Sequence, residues 1–182
     1  MPLAPAFSFH RKQYEQQGFT ILLNAARPVL LRQMARIIER ACEEDFIEGD
    51  ESEHSWKEIA IDPPLALSEM IAGFDVKHLL GGQLGRSAHW LNIYEPGEFI
   101  GAHVDAGGDM QIMIPIEMPP PFEGGELWVN DKECILPVAL GDVLLFAAHR
   151  VRHGTTAVRS GRRVSFNGRM WLRDSTSASG RH

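Results

Sequence analysis

The chain has 182 residues, of which 44% are hydrophobic and 23% are charged, so one globular domain with one core is expected. Its formal net charge of −6 gives no general electrostatic help to binding of nucleic acid, and we expect no nucleic-acid partner. No stretch approaches the ~20 apolar residues of a membrane span and the first ten residues lack the pattern of a secretory signal, so we expect neither a membrane partner nor export.

The first third of the sequence is helical in character. The apolar run from Phe19 to Leu23 predicts a short strand, and the segment from Arg27 to Glu44 carries apolar residues at helical spacing, with Pro28 in its first turn. The polar stretch from Asp50 to Lys57 predicts a loop, and Pro64 to Phe74 predicts a second helix. We therefore expect a helical layer ahead of the rest of the chain.

From Ser87 onward, short strand-like runs alternate with turn signals. Regularly spaced short strands are typical of a sandwich or a barrel. Asn130-Asp131 predicts a hairpin turn between two of these runs. The predicted strands are Ala88–Tyr94, Met110–Ile116, Glu126–Val129, Glu133–Val138, Asp142–Phe146 and Arg163–Leu172.

The sequence thus predicts a mainly β fold with supporting helices, in the α+β class. We expect a single domain over residues 1–174, with helical support over about 1–86 and a β core over about 87–173. Residues 175–182 are polar and rich in small side chains, and they are expected to form a flexible tail.

A candidate metal-ligand set lies in the β-rich half, at His103, Asp105 and His153. Side chains two residues apart in an extended segment point the same way, so His103 and Asp105 can face one ion. Two imidazoles and one carboxylate are the ligand set of a mononuclear non-haem iron(II) site, which keeps positions open for a co-substrate and dioxygen. Zinc tolerates the same ligand types, so these residues leave the identity of the metal open.

A His-x-Asp tripeptide is weak evidence alone, since the chain contains eight histidines, but the motifs around it are more specific. They are, in chain order, Tyr94-x-x-Gly97, His103-x-Asp105, Gly124-Gly125-Glu126-Leu127, Gly141-Asp142-Val143-Leu144-Leu145-Phe146, His153 and Arg163-x-Ser165. This ordered set resembles the iron(II)- and 2-oxoglutarate-dependent oxygenases, especially their prolyl-hydroxylase-like branch. The resemblance covers roughly Ala88 to Trp171.

The resemblance implies a double-stranded β-helix, or jelly roll, braced by N-terminal helices. It implies iron(II), 2-oxoglutarate and dioxygen as cofactor and co-substrates, with ascorbate as a candidate reductant. The implied reaction is hydroxylation of an unactivated C–H bond, with succinate and carbon dioxide as co-products. Halogenating relatives carry a small residue where this chain has Asp105, so the carboxylate favours hydroxylation or a related oxidation.

Arg163 is the candidate anchor for the distal carboxylate of 2-oxoglutarate. A planar guanidinium binds a carboxylate through two parallel hydrogen bonds, which a lysine cannot do. Ser165 shares the strand face of Arg163 and can add a hydroxyl donor, whereas Arg162 should point to the opposite face. The other basic residues of the last third are expected to point to water; they are Arg150, Arg152, Arg159, Arg162, Arg169 and Arg173.

Three residues ahead of the ligands are further candidates. By resemblance, Tyr94 is a hydrogen-bond donor to the co-substrate. Asn92 lies on the same strand face and either helps to bind the co-substrate or lines the substrate pocket. Trp90 shares this face and either stacks on a substrate or belongs to the core.

The residues do not identify the substrate. We expect a small amine- or carboxylate-bearing metabolite, such as an amino acid or a natural-product intermediate. The alternatives are a peptidyl, prolyl-type hydroxylase acting on a protein and a non-catalytic metal-binding β-barrel. The acidic net charge disfavours a nucleic-acid demethylase. Cys42 and Cys134 follow no pattern that indicates a disulfide, so a reduced cytoplasmic setting is expected.

Overall fold

The fold is described from a computed structural model, which covers residues 5–40, 47–48, 54–62, 82–118 and 123–173. Within these ranges the chain forms two helices and thirteen strands, so the predicted mainly β class with N-terminal helices is confirmed. The helices are α1 (Pro5–Gln17) and α2 (Pro28–Arg40). The strands are β1 (Phe19–Leu22), β2 (Ile47–Glu48), β3 (His54–Ser55), β4 (Lys57–Ala60), β5 (Leu84–Tyr94), β6 (Phe99–Ile100), β7 (Met110–Glu117), β8 (Glu123–Gly124), β9 (Leu127–Val129), β10 (Val143–Phe146), β11 (His153–Thr155), β12 (Val158–Ser160) and β13 (Arg163–Leu172).

Helix α2 packs one apolar face on the core. Leu30, Met34 and Ile38 recur every four residues and are all buried. The predicted helix is therefore confirmed from Pro28 to Arg40, and its predicted last residues lie outside the described part of the chain. Helix α1 was not predicted, because Tyr14 is the one buried side chain among its described residues and gives no apolar periodicity.

Seven strands form the large sheet, in the order β1-β10-β7-β13-β5-β4-β2, with every pair antiparallel. The long strands β5 and β13 lie side by side near its centre. The first third of the chain contributes β1, β2 and β4. Strand β1 confirms the strand predicted from Phe19 to Leu23, whereas β2 and β4 were not predicted. Two strands, β3 and β4, begin inside the stretch that was predicted to be a loop. Strand β4 shows little apolar pattern, because Ile59 is its one buried residue.

Three two-stranded sheets accompany the large sheet among the described residues: β11-β9, β12-β8 and β3-β6. The predicted hairpin after β9 is confirmed, since Val129 donates its amide N–H to the carbonyl of Cys134 and Trp128 bridges to Ile135. The prediction of a strand at Glu133–Val138 is wrong, because this segment forms one isolated bridge, at Ile135, and no strand. Pro137 has no N–H for a ladder, and Ile135 is 40% exposed.

One large apolar cluster joins the two helices to the sheet. It includes Met34 of α2, Leu91 of β5, Ile114 of β7 and Phe166 of β13. None of the helices in the described ranges is long and apolar enough to cross a membrane. The predicted helix Pro64–Phe74, the predicted tail 175–182 and Cys42 lie outside the described residues.

Candidate metal and co-substrate site

A cavity of about 510 Å³ lies between the large sheet and the strands β6, β9 and β11. Strand alternation brings one face of each central strand into it, because residues two apart share a face. From β5 and β13 the residues that line it are Trp90, Asn92, Tyr94, Arg163, Ser165, Asn167 and Arg169.

The three predicted metal ligands meet at one end of this cavity. The ligand atoms of His103, Asp105 and His153 all lie within 4.8 Å of one another. Each histidine donates its amide N–H to the carbonyl of the other at 2.9 Å, so the loop that carries His103 is clamped to β11. The Asp105 amide donates to the carbonyl of Ala148 at 3.0 Å. Backbone pairing therefore positions all three side chains.

Both imidazoles are held in the tautomer that a metal needs. His103 Nδ1 lies 3.0 Å from the carbonyl oxygen of Gly101, and His153 Nδ1 lies 2.9 Å from that of Val151. A carbonyl only accepts, so Nδ1 carries a proton in each ring, and Nε2 is the nitrogen that can bind a metal once the ring is neutral. This backbone contact is typical of histidines that bind metals through Nε2. The donor set therefore fits a divalent transition metal.

The local electrostatics favour an ionised Asp105 and a neutral His153, whereas they favour protonation of His103. Burial and the neighbouring His103 lower the pKa of His153 to about 4. Burial opposes ionisation of Asp105, but the hydrogen bond from His103 and the charge of Arg169 outweigh it and lower the pKa of Asp105. Burial likewise opposes charge on His103, but contacts with Asp105 and Gly101 raise the pKa of His103 overall. Near neutral pH, Asp105 is an anion and His153 is a neutral ligand.

Arg169 touches the ligand set, and sequence reasoning missed it. Its Nη2 lies 2.6 Å from Asp105 Oδ2, while Asp105 Oδ1 lies 3.6 Å from His103 Nε2. Its guanidinium also covers the ring of Trp90, 5.3 Å from the centroid. The expectation that Arg169 points to water is wrong. The sequence contained a signal for this position. Arg169 lies an even number of residues after Arg163 in the same strand, so the two side chains share a face.

Arg163 lies at the other end of β13 and is buried, with 4% of its surface exposed. Its Nη1 lies 3.5 Å from Ser165 Oγ, its Nη2 lies 3.8 Å from Met113 Sδ, and its Cζ lies 5.0 Å from the centroid of the Tyr94 ring. Among the described residues no carboxylate lies within 4.0 Å of this guanidinium. Burial lowers the pKa of Arg163, and a buried cation without an anion is costly.

Arg162 points away from the cavity, as predicted. Its Nη2 lies 2.8 Å from Glu117 Oε2.

The remaining candidates surround Arg163. Tyr94 and Asn92 lie directly opposite Arg163 and Ser165 in the β5–β13 register. Burial raises the pKa of Tyr94, so its phenol stays a neutral donor. Asn92 donates from Nδ2 to the Tyr94 hydroxyl at 3.3 Å. Asn167 was not predicted, although it lines the same cavity and shares the face of Ser165.

Similarity to characterised sequences is confined to part of the chain. The chain is 32% identical over 90 residues to a PKHD-type hydroxylase of Burkholderia cenocepacia (strain HI2424), and the match covers 42% of this chain and 40% of that protein. The match thus spans about two fifths of the length of the curated relative. No family model matches the sequence.

Similarity of fold extends over nearly the whole chain. A prolyl-4-hydroxylase of Pseudomonas putida superposes with a TM-score of 0.77 at 18% identity, covering 92% of this chain and 100% of that one. An oxidoreductase of the 2OG-Fe(II) oxygenase family from Burkholderia pseudomallei superposes with a TM-score of 0.70 at 16% identity, covering 96% and 94%. The structural neighbours are thus 2OG-Fe(II) oxygenases, including prolyl hydroxylases, and the chain shares their jelly-roll fold.

Proposed function

We propose that this protein is an Fe(II)- and 2-oxoglutarate-dependent dioxygenase that hydroxylates a small metabolite, such as an amino acid or a natural-product intermediate. One observation carries the proposal: a buried guanidinium without a carboxylate partner among the described residues lines the same cavity as a His/Asp/His ligand set. A co-substrate with a metal-chelating end and an anionic far end would bind the metal through one end and Arg163 through the other.

The chain's residues divide the binding between them. His103, Asp105 and His153 would hold iron(II), and Arg163 with Ser165 would bind the distal carboxylate of 2-oxoglutarate. Tyr94 would donate its hydroxyl to the co-substrate, and Asn92 orients that hydroxyl through its amide. Arg169 holds the second oxygen of Asp105, which keeps this carboxylate from turning.

Iron(II) would supply the oxidising chemistry, in which substrate, dioxygen and 2-oxoglutarate give hydroxylated substrate, succinate and carbon dioxide. The protein's contribution is orientation and exclusion of water. Phe146, Leu127 and Ile100 provide apolar wall at the cavity, which limits the water around the ligands. Ascorbate would serve as a reductant if the bound iron became oxidised.

The volume of the cavity favours a small substrate. About 510 Å³ falls within the range of roughly 300–1,000 Å³ for small-molecule sites, and the co-substrate must share it. The second candidate function is a peptidyl, prolyl-type hydroxylase, which the fold shared with the prolyl-4-hydroxylase supports. We propose a cytoplasmic setting, consistent with an exposed Cys134 that forms no disulfide within the described part of the chain.

The test of this function is the loss of co-substrate binding when Arg163 is replaced. Arg163→Met removes the guanidinium and keeps an apolar stem, so the dissociation constant for 2-oxoglutarate should rise at least tenfold, or about 1.4 kcal/mol. Calorimetric titration of 2-oxoglutarate into the metal-loaded protein measures it. Arg162→Met is the matched control, because Arg162 points out of the cavity to Glu117. Equal affinities in the two variants would contradict the role of Arg163.

Turnover is measured separately from binding. Anaerobic protein loaded with iron(II) and 2-oxoglutarate is mixed with a metabolite library or with proline-containing peptides, oxygen is admitted, and succinate is quantified. Succinate formation that depends on a metabolite supports the first candidate, and dependence on peptides supports the second. Asp105→Ala should abolish both.

A further inference from the structure

We infer that Glu58 and Asn92, together with the rings of Trp56 and Trp90, bind a protonated amine of the substrate. This inference deepens the proposed function and rests on it, because it chooses amine-bearing over carboxylate-bearing metabolites.

The four residues form one wall of the cavity. Glu58 lies directly opposite Asn92 in the β4–β5 register, and Trp90 lies opposite Ala60, two residues further along β4. Residues that alternate along paired strands share a face, so Glu58, Asn92 and Trp90 point into the same space. Trp56, just ahead of β4, also lines it. Strand β5 separates β4 from β13, so this wall is distinct from the strand that carries Arg163.

Glu58 is a carboxylate with no cationic partner in contact. Among the described residues no Lys, Arg or His nitrogen lies within 4.0 Å of it. Arg169 is the nearby cation, but it is bound to Asp105 at 2.6 Å. Burial raises the pKa of Glu58, while the neighbouring Trp56 side chain opposes that shift. A cation brought to this position would relieve the cost of its desolvation.

Asn92 supplies a second acceptor beside that carboxylate. The side chain is 8% exposed and its Nδ2 is directed to the Tyr94 hydroxyl. Its Oδ1 is buried and has no hydrogen-bond partner among the described residues, which costs about 1–3 kcal/mol until a donor arrives. An ammonium has three N–H donors and no acceptor, so it satisfies Glu58 and Asn92 together. A carboxylate would meet two acceptors and be repelled.

The aromatic rings fit the same ligand. A cation is attracted to the face of a tryptophan ring, most strongly where water is excluded. The Trp90 ring lines the cavity and holds the Arg169 guanidinium 5.3 Å from its centroid, so this ring already takes part in one cation–π contact. Trp56 is partly buried and packs against the apolar cluster of Tyr94, Ile100 and Val158.

The test compares Glu58→Gln with Glu133→Gln, a charge-matched control at an exposed position outside the cavity. Two probes of similar size are titrated into the zinc-loaded protein with 2-oxoglutarate: n-butylammonium, which is charged, and n-butanol, which is neutral. Ligand-observed NMR measures both affinities. Glu58→Gln should weaken binding of n-butylammonium at least tenfold and leave n-butanol unchanged, and Glu133→Gln should change neither.

Three outcomes separate the two proposals. If n-butylammonium binds equally to both variants, or no better than n-butanol, the amine subsite is refuted. The same variants are titrated with 2-oxoglutarate, and unchanged affinity there shows that the fold and the co-substrate site are intact. Failure of 2-oxoglutarate to bind the unmodified protein would refute the proposed function, while n-butylammonium binding to Glu58 stays measurable without it. In turnover, primary amines but not their N-acetylated forms should elicit succinate.

Discussion

Two arginines on β13 line the same cavity but have different roles, because their neighbouring side chains differ. Arg163 is buried among Ser165, Met113 and Tyr94 with no carboxylate of the described chain in contact, so it is free to take an anion. Arg169 is ion-paired to Asp105 at 2.6 Å. The first residue is a candidate ligand-binding group, and the second is a positioning residue that acts through a metal ligand.

Arg169→Met should weaken metal binding by about 10- to 100-fold, which is the usual cost of losing a partner behind a ligand. The reason is that Asp105 would lose the contact that fixes its second oxygen. Competition between the protein and a chromophoric chelator for zinc measures the affinity. Arg159→Met is the control, since the Arg159 side chain is 63% exposed. Affinity equal to or above that of the unmodified protein would show that Asp105 is held without Arg169.

At the scale of elements, the site depends on β11 and the loop that pairs with it. Strand β11 carries His153, and its neighbour Gly154 lies close to the backbone before His103. A Cβ at Gly154 would lie 2.5 Å from Trp128 Cζ2 and 2.8 Å from the carbonyl oxygens of Ile100 and Gly101. This close approach allows the two histidine backbones to exchange hydrogen bonds, so a glycine is required here for packing.

Gly154→Ala should therefore separate β11 from this loop and lower metal affinity at least tenfold. Overpacking of this kind should also lower the free energy of unfolding by about 1–3 kcal/mol. Zinc competition and chemical denaturation measure the two effects. Gly82→Ala is the control, because its Cβ would meet Leu172 Cδ1 at 2.9 Å, the end of a side chain that can rotate. The role of β11 packing is contradicted if the two variants bind zinc alike.

At the scale of the molecule, the N-terminal part and the β core are one sheet. Strand β1 pairs with β10 and β4 pairs with β5, so segments far apart in the chain share hydrogen bonds. These pairings support our proposal that residues 1–174 form a single domain. Because the cavity lies between this sheet and the smaller ones, ligands bound in it should stabilise the whole fold.

Zinc and 2-oxoglutarate should raise the melting temperature in two separable steps. A ligand present at 100 times its dissociation constant adds about 2.7 kcal/mol, or roughly 5–10 °C for a chain of this size. Differential scanning fluorimetry should show both steps in the unmodified protein, a full zinc step with a 2-oxoglutarate step at most about half as large in Arg163→Met, and neither step after a chelator is added. A full second step in Arg163→Met would place the anion site elsewhere.

The candidate metal ligands and the candidate anion anchor could be predicted from the order of their residue types in the sequence. The His103-x-Asp105 motif, the later His153 and Arg163 predict a ligand set and an anchor, because imidazole, carboxylate and guanidinium groups are suited to those roles. Local periodicity likewise predicted α2 and most long strands, since one buried face leaves a repeating apolar pattern. Short strands such as β4 were not predicted, because β4 fully buries only one of its four residues.

The sequence alone determined the residue types, their order and the parity that puts Arg163, Ser165 and Arg169 on one strand face. Only the tertiary structure decided that this face turns inward, and that Glu58 lies across β5 from it. Strand order joins β13 to β5 and β5 to β4 through long-range pairing, which no local pattern encodes. The physical reason is that burial and ion pairing arise between elements, so a residue's environment is a property of the assembled sheet.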